Sequence, residues 1–290
     1  MTETPRNDRS VSAEALAITV IEPERGAPLG RLGEWLFAEG ASLTMVRLWQ
    51  GEPVPALAEL GDGLVVLGGA MNAHDDETHP WLEDLRALLR EVVAARMPAI
   101  TICLGAQVAA EALGGQTAVP SPHGREGGIV ELELTQAAEA DPLFAETVAE
   151  AVRAAVRAGI PTQDGTRLPV IVSHDDVVVA LPQDAVLLAS SQAAPVQAWR
   201  AGKLLALQHH PESSPERIGY WQARSFLRHQ GVSGADSLPE EDMPAEAIEV
   251  GKAATQAARE VDPVIQAFGR ALARGFARES RAYAARRTTA

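Results

Sequence analysis

Two near-continuous apolar runs most restrict the folds open to this chain. They are "LVVLGG" at 64–69 and "PAITIC" at 98–103. A strand that is apolar at successive positions is buried on both faces, which is typical of a parallel sheet covered by helices. Each run is followed by a segment with helical spacing of apolar residues, and this alternation predicts right-handed crossovers. The predicted fold class is α/β, with an open, mixed, mostly parallel sheet and helices on both faces.

Further strand-like and helix-like segments extend this sheet. After Gly115 the chain is strand-rich, and "AGK" at 201–203 predicts a hairpin turn. A late helix is predicted to begin after Ser214, a typical N-cap residue that here precedes a proline. The other predicted strands are 15–23, 42–49, 129–135, 168–181, 185–191 and the run 194–210 that ends at His210, with a helix at 145–159.

The chain divides into three predicted parts. Residues 1–14 form a disordered lead-in, residues 15–231 form the main domain, and residues 232–290 form a linker with a helical C-terminal extension. The extension carries two alanine-rich helical patterns, and the second has an apolar stripe with a spacing of four residues. Such a stripe predicts a tail that docks on its own domain or pairs in a homodimer. A helix for a partner or a membrane surface is the alternative. The stripe consists of Val264, Phe268, Leu272 and Phe276.

Charge and cysteine content exclude several classes of protein. The formal net charge of −14 argues against a broad nucleic-acid interface, because phosphates would be repelled. No run reaches the length of about eighteen apolar residues that a membrane span needs. With one cysteine, no disulfide can form within the chain. We therefore expect a cytoplasmic protein that binds neither nucleic acid nor membrane.

The single cysteine, Cys103, stands where the run "PAITIC" ends and a helical pattern begins. A lone cysteine is most often a small buried hydrophobic residue. In doubly wound α/β folds, however, ligands bind beyond the carboxyl ends of the parallel strands. A helix N-terminus there favours a thiolate, and Cys-x-Gly resembles the sharp turn that exposes a nucleophile. The position therefore makes Cys103 a candidate nucleophile.

A base and its orienting group follow in "LALQHHPES". His210 closes a strand-like run, and alternation places it opposite in direction to His209. Glu212 lies two residues further on, close enough to hold the imidazole. A thiol nucleophile needs a base of this kind, and the base needs an orienting group. Cys103, His210 and Glu212 are the candidate catalytic residues.

Three separated motifs carry a resemblance to a known family. "ICLGAQ", "QHHPE" and "VVLGGAMNAHDDETHPWL" resemble the class I, or triad, glutamine amidotransferases. Within that family, the stand-alone proteins similar to the amidotransferase domain of GMP synthetase resemble the chain most, over roughly residues 15–230. "VSHDDVVVAL" resembles that group's Ser-His-Gly-Asp stretch. The chain departs from the usual pattern of this family at four places. It has Thr101 where the family usually has a glycine, Ala70 where a proline is common and His209 where an aromatic residue is common. Its loop 122–129 also differs.

The resemblance implies the flavodoxin-like amidotransferase fold and hydrolysis of the glutamine side-chain amide. Cys103 would attack the carbonyl and form a γ-glutamyl thioester, while His210, oriented by Glu212, would relay protons. Backbone N–H groups of Gly69 and Leu104 would form the oxyanion hole. The resemblance also implies substrate contacts by Gly68, Gln107, His174 and Asp176. We expect no cofactor. No metal cluster is apparent in the residues, and "NAHDDETHP" at 72–80 is expected to be a polar loop rather than a ligand set, because it continues directly into a helix.

Two other functions stay open. The same triad could act on a γ-glutamyl conjugate, or a catalytically silent relative could bind a metabolite or partner. Residues after 232 are too few for an ATP-binding synthetase domain, so ammonia would pass to a separate synthetase partner. We expect slow hydrolysis in its absence. Because the triad precedes Val232, we also expect the extension to be dispensable for chemistry and to mediate assembly.

Overall fold

The structure is a computed structural model that describes residues 15–235 and 238–288. Strands and helices alternate through its first half, as predicted. The lead-in at 1–14 lies outside the described residues. The strands are β1 Leu16–Glu22, β2 Ala41–Arg47, β3 Gly63–Val66, β4 Ala99–Ile102, β5 Gln116–Ala118, β6 Glu126–Leu134, β7 Arg167–His174, β8 Val177–Ala180, β9 Val186–Ser190, β10 Ala198–Ala201 and β11 Leu204–Leu207. The helices are α1 Gly30–Ala38, α2 Trp81–Ala94, α3 Leu104–Ala112, α4 Gln136–Ala140, α5 Pro142–Ala158, α6 Pro215–His229 and α7 Ala245–Thr288.

Nine strands form one mixed sheet in the order β2-β1-β3-β4-β11-β10-β9-β6-β7. The first five are parallel neighbours, whereas the pairs from β11 to β7 are antiparallel. Strands β9 and β7 therefore share the direction of the first five, and β10 and β6 run the other way. The predicted open, mostly parallel sheet is confirmed. Strands β5 and β8 form a separate two-stranded sheet.

Helices cover both faces of the large sheet, because its central strands are apolar on both sides. Side chains of α1, α5 and α7 share one buried cluster with one face of the strands. Side chains of α2 and α3 share a second cluster with the opposite face. In β3 and β4 every residue is buried. The two apolar runs were therefore correctly interpreted as strands between helical layers.

The register of the central strands places the ends of three chain segments together. Thr101 on β4 lies opposite Val66 of β3 and Ala206 of β11. Because these strands are parallel, the residues that follow them emerge at the same edge of the sheet. Gly68, Cys103 and His210 all follow one of these three strands. The residues of the candidate site therefore meet at this edge.

The C-terminal extension differs from its prediction. The two predicted helical patterns form one helix, α7, which continues through Pro263. A proline inside a helix removes one backbone hydrogen bond. This loss is offset because α7 packs on both sides of Pro263, against α6 through Gly219 and Gly251 and into the main core through Phe268. Continuity of the helix is thus a result of tertiary packing.

The apolar stripe of α7 docks on its own chain, one of the two predicted outcomes. Its four side chains are at most 3% exposed and belong to the same cluster as β1, β3 and β11. The linker packs as well, since Ala235 and Met243 share a buried cluster with Leu227 of α6. The stripe therefore gives no reason to expect a homodimer. The boundary at 231/232 stays a prediction. Within the described ranges, no helix is both long enough and apolar enough to cross a bilayer.

Candidate active site

Cys103 occupies a sharp turn between β4 and α3. Its backbone has φ 52° and ψ −112°, a conformation that is costly for a residue with a side chain. The turn is held because the Cys103 N–H donates to the carbonyl of Leu207 at 2.8 Å, and the Cys103 carbonyl accepts from Ala106 N–H at 2.9 Å. At Gly105 an added Cβ would lie 2.7 Å from the carbonyl oxygen of Val66, so only glycine permits this approach. The predicted strand-to-helix elbow is present.

His210 and Glu212 form a buried pair beside this turn. Nδ1 of His210 lies 2.7 Å from Oε1 of Glu212, and both side chains are 3% exposed. Nε2 of His210 and Oε2 of Glu212 have no hydrogen-bond partner among the described residues. Strand β11 ends at Leu207, three residues earlier than predicted. Beyond it, the N–H of His210 donates to Ile171 of β7 at 2.8 Å.

The two adjacent histidines have opposite pKa shifts. Burial would lower the pKa of His210, but the negative charges of Glu212 and Cys103 outweigh it and raise the pKa to about 10. Burial, assisted by the charge of His210, lowers the pKa of His209 to about 3. His209 packs edge-on against Phe268 of α7, with ring centroids 5.3 Å apart. His210 is therefore held as an imidazolium and His209 as a neutral ring.

Gly68 lies between the candidate nucleophile and the candidate base. A Cβ added there would be 3.3 Å from Cβ of Cys103 and 3.4 Å from Cε1 of His210. Gly69 follows, and a Cβ there would collide with the sulfur of Met71 and approach Leu104 at 3.0 Å. The loop after β3 thus runs directly past the start of α3, where the predicted oxyanion donors are.

A cavity of about 650 Å³ opens over these residues. Cys103, His210 and Gly69 line its floor, and Trp221 of α6 forms a wall. The Trp221 ring lies 4.6 Å from the His210 ring, and its Nε1 donates to the carbonyl of Gly26 at 2.9 Å. Cavities of this size accommodate small molecules. The cavity joins the predicted nucleophile and base to one solvent-accessible space.

None of the four predicted substrate contacts, which are Gly68, Gln107, His174 and Asp176, is among the residues that line this cavity. Gln107 uses its Nε2 within the protein, donating to the Asp176 carbonyl at 3.0 Å and to Oε1 of Gln208 at 3.2 Å. His174 lies 3.1 Å from the same Asp176 carbonyl through Nδ1 and 3.1 Å from Glu126 Oε2 through Nε2. Contacts within the protein therefore hold the side chains of Gln107 and His174. The contact of the predicted residues with substrate stays a prediction.

These contacts close into a ring that connects the elbow helix to the His210 segment. Glu126 accepts from Gln197 Nε2 at 2.7 Å, and the Gln197 carbonyl accepts from Gln208 N–H at 2.8 Å. Burial raises the pKa of Glu126, but the contact with His174 and the hydroxyl of Ser191 lower it further than burial raises it. The glutamate is thus an anion inside the protein.

Asp176 contributes its backbone to this ring, whereas its carboxyl group lies outside it. Burial, followed by the charges of Asp175 and Asp75, raises its pKa to about 6. The polar loop "NAHDDETHP" at 72–80 was predicted to hold no metal. In the part of the chain that the structure describes, no group of three or more His, Cys, Asp or Glu side chains is placed to ligate one.

With this geometry established, comparison with known proteins identifies the family. The model of the family "Glutamine amidotransferase class-I" matches residues 36–229. The chain belongs to this family. A glutamine amidotransferase-like protein of Salmonella typhimurium, YfeJ, is 30% identical over 208 residues, which are 70% of this chain and 77% of that protein.

Longer relatives match over part of their length. The glutamine-hydrolysing GMP synthase of Thermomicrobium roseum is 30% identical over 165 residues, which are 57% of this chain and 26% of the synthase. The chain thus spans about a quarter of that enzyme. A glutamine amidotransferase structure from Methylobacillus flagellatus has a TM-score of 0.61 at 24% identity and covers 88% of this chain and 94% of its own. At this identity the likeness shows the fold.

Two parts of the site were missed by sequence reasoning. One is Arg31 of α1, whose guanidinium contacts Asp262 of α7 and the carbonyl of Ser213 beside the triad. No local pattern connects these residues, because 231 positions separate Arg31 from Asp262. The other is the face of α6 over the cavity. It had a readable signal, because Arg217, Trp221 and Arg228 recur at helical spacing.

Proposed function

We propose that this protein hydrolyses the side-chain amide of glutamine through Cys103, His210 and Glu212. The observation that carries the proposal is the placement of the His210–Glu212 pair beside the strained Cys103 turn, on the floor of one cavity. The coarser statement, that the chain is a class-I glutamine amidotransferase by family, rests on the family match. The assignment of roles to individual residues is the proposal.

In the proposed reaction, the Cys103 sulfur attacks the amide carbon and forms a tetrahedral intermediate. The carbon–nitrogen bond then breaks, the imidazolium of His210 gives its proton to the nitrogen, and ammonia leaves with a γ-glutamyl thioester behind it. His210, now neutral, accepts a proton from water, which attacks the thioester carbon. The carbon–sulfur bond then breaks and the γ-carboxylic acid of glutamate leaves, which restores the Cys103 thiolate beside the His210 imidazolium. The acid ionises, and the released ammonia takes up its proton. The Glu212 contact fixes the tautomer, because Nδ1 donates to it and Nε2 faces the reaction.

The negative oxygen of both tetrahedral intermediates needs donors. We assign this role to the backbone N–H groups of Gly69 and Leu104. Leu104 begins α3, whose N-terminus favours negative charge. Loss of one such donor lowers rates by about 10²–10³ in comparable enzymes. Gly68 admits the substrate because a side chain there would contact both Cys103 and His210.

The destination of the ammonia is part of the proposal. The relatives include glutamine-hydrolysing GMP synthases. This chain spans about a quarter of the length of the T. roseum enzyme. We propose that the ammonia passes to a separate synthetase protein that covers the cavity. Hydrolysis in isolation is then slow, and it rises when this partner is added.

Labelling at Cys103 tests the chemistry independently of any partner. The full chain is incubated with a chloroketone analogue of glutamine, and its intact mass is measured. We expect one adduct, absent from Cys103→Ala and slowed in Glu212→Gln, with release of glutamate from glutamine in the unmodified protein. If the adduct forms equally on Cys103→Ala, or if the wild-type protein gives neither adduct nor glutamate, the proposal is wrong and a silent binding protein is indicated.

A further inference from the structure

The loop after β3, which contains the proposed oxyanion donor, leaves the sheet beside the chain that follows β1. The parallel pair of β1 and β3 ends where the Leu67 N–H donates to the carbonyl of Ile21 at 3.0 Å. Pro23 cannot extend this ladder, because proline has no N–H to donate. A further step would also use the Gly69 N–H on the carbonyl of Pro23, since bonds along a parallel pair recur at alternate residues. The end of the ladder at Ile21 therefore spares the Gly69 N–H for the substrate.

Glu24 provides the next anchor of this loop. Its Oε2 accepts from the Ala70 N–H at 2.5 Å. A carboxylate makes a stronger hydrogen bond than a backbone carbonyl, because its oxygen carries charge. Gly69 lies just before this contact, and a Cβ added to it would be 3.5 Å from Cβ of Pro23. Because Glu24, Gly69 and Ala70 all line the cavity that contains Cys103, the anchor stands at the reaction site.

The turn that contains Glu24 also contacts the wall beside the proposed base. The Ala27 N–H donates to the Glu24 carbonyl at 3.3 Å and closes the turn. The carbonyl of Gly26 accepts from Nε1 of Trp221 at 2.9 Å, and the Trp221 ring lies 4.6 Å from the His210 ring. A Cβ added at Gly26 would lie 3.0 Å from Oε1 of Glu24, so glycine leaves room for the carboxylate. One short turn therefore connects the loop after β3 to the His210 side of the site.

We propose that Glu24 is a positioning residue, which holds the loop after β3 so that the Gly69 N–H meets the negative oxygen of the tetrahedral intermediates. The inference rests on the proposed function of Cys103 and on the oxyanion role assigned to Gly69. Glu24 acts through the peptide between Gly69 and Ala70 and touches no reacting atom. Fixing this peptide restrains the backbone of a glycine, which otherwise has wide conformational freedom. A donor that is already in place needs no reorganisation during the reaction.

Variants at Glu24 separate positioning from substrate binding. Glu24→Ala removes the acceptor, and kcat for glutamine hydrolysis by the full chain should fall about 10–100-fold with KM within about threefold. The reason is that the oxyanion forms only during the reaction, so its misplaced donor affects kcat. Glu24→Gln keeps an acceptor oxygen and should recover most of this loss. A rise in KM with kcat unchanged would overturn the proposal and assign Glu24 to the α-ammonium group of glutamine.

Glu59→Ala is the matched control. Oε2 of Glu59 accepts from the Ala56 N–H at 2.7 Å, which is the same kind of contact at an exposed position that does not line the cavity. Amide hydrogen exchange, followed by NMR, reports whether each contact anchors its backbone. Exchange at Ala70 should accelerate about tenfold in Glu24→Ala, and exchange at Ala56 should accelerate in Glu59→Ala with kcat unchanged. Unchanged exchange at Ala70 in Glu24→Ala would overturn the proposal.

Alkylation of Cys103 by iodoacetamide tests whether the effect is confined to the oxyanion donor. The sulfur displaces iodide from a saturated carbon, so the reaction uses the thiolate but forms no oxyanion. Its rate should therefore be the same in the wild-type protein and Glu24→Ala, although kcat differs. An equal fall in the alkylation rate and in kcat would place the damage at the Cys103–His210 pair and contradict the role assigned to Glu24.

Failure of this proposal and failure of the proposed function give different results. Glutamine hydrolysis that continues in Glu24→Ala at the wild-type rate would sink the positioning role and leave the triad chemistry standing. Absence of hydrolysis in the wild-type protein, with Cys103 alkylated normally, would contradict the proposed function and the role of Glu24 with it. A lower kcat in Glu24→Ala, with alkylation intact and faster exchange at Ala70, supports both.

Discussion

Arg31 on α1 and Asp262 on α7 form an ion pair, with Nη1 2.7 Å from Oδ1, directly behind the His210–Glu212 segment. The same guanidinium donates to the carbonyl of Ser213, and the backbone N–H of Arg31 donates to the carbonyl of Glu212 at 3.0 Å. The family match ends at residue 229, so α7 lies beyond it. A helix outside the matched region therefore supports the segment that carries the proposed base.

Asp262→Asn tests this support. The pair is partly buried, with both side chains less than one-fifth exposed. Loss of the charge should cost about 1–2 kcal/mol of stability and lower kcat for amide hydrolysis by about tenfold with KM nearly unchanged, because the triad segment is misplaced while the cavity remains. Thermal unfolding and steady-state kinetics measure both effects. Glu249→Gln, an acid-to-amide change at an exposed ion pair of the same helix, is the control. A loss of stability with kcat intact would reduce the Arg31–Asp262 pair to a structural contact.

Docking of α7 also reverses the expected effect of truncation. Phe276 is 1% exposed within the main core, whereas Phe37 on α1 is 75% exposed. Phe276→Ala should therefore lower the free energy of unfolding by about 3–5 kcal/mol, and Phe37→Ala should change it by less than about 0.5 kcal/mol. A chain ending at Gly231 should lose its cooperative thermal transition. Denaturant unfolding measures all three effects. A truncated chain that unfolds cooperatively at the wild-type midpoint would show instead that the main domain folds without the C-terminal extension.

The sequence predicted what local patterns encode. Strands β3 and β4 could be recognised because burial on both faces leaves an unbroken apolar run. Cys103 could be recognised as a candidate nucleophile because it follows such a run at the start of a helix. Continuity through Pro263 could not be recognised, since a proline locally indicates a break and the compensation comes from distant packing against α6 and the core. At Pro263 the local sequence predicts that the helix ends, but packing of α7 against the rest of the protein stabilises a continuous helix.

The site was predicted unevenly for the same reason. The His210–Glu212 pair is local, two residues apart, and its contact was expected and is present. Gln107 was assigned to substrate because it matches the family position four residues after the nucleophile. Its amide nitrogen instead contacts Asp176 and Gln208, 69 and 101 residues away. Chain spacing specifies a place on a helix, but not which partner the side chain reaches.

Gly68→Ala should impair chemistry while leaving the fold stable. An added Cβ would contact Cys103 and His210 at 3.3–3.4 Å, which is tight but does not meet backbone. We expect at least about a tenfold lower rate of amide hydrolysis, because small displacements of reacting groups are costly, with the unfolding midpoint nearly unchanged. Gly51→Ala is a contrasting variant outside the site, where the strain of φ 83° affects stability and an added Cβ meets no neighbour within 4 Å. Wild-type activity in Gly68→Ala would show that the nucleophile and base have more room than this geometry provides.

His209→Phe should make the protein more resistant to acid. The folded-state pKa of His209 is lowered to about 3, from an ordinary value of 6.5. Between pH 6.5 and pH 3 this histidine is protonated in the unfolded chain but neutral in the folded protein. The free energy of unfolding therefore decreases as pH falls from about 6.5 towards about 3. Phenylalanine binds no proton, and the slope of unfolding free energy against pH should decrease by up to about 1.4 kcal/mol per pH unit.

The range from pH 4 to 6 isolates this effect from that of the neighbouring histidine. The pKa of His210 is raised to about 10, so its contribution to stability is fully present below about 6.5 and is lost only as pH rises towards 10. Both ring nitrogens of His209 lack hydrogen-bond partners among the described residues, so the variant should also gain about 1–3 kcal/mol at neutral pH. Urea unfolding at several pH values measures the slope, with His123→Phe at an exposed position as the control. An unchanged slope in His209→Phe would mean that the buried ring is protonated in the folded protein, contrary to its packing against Phe268.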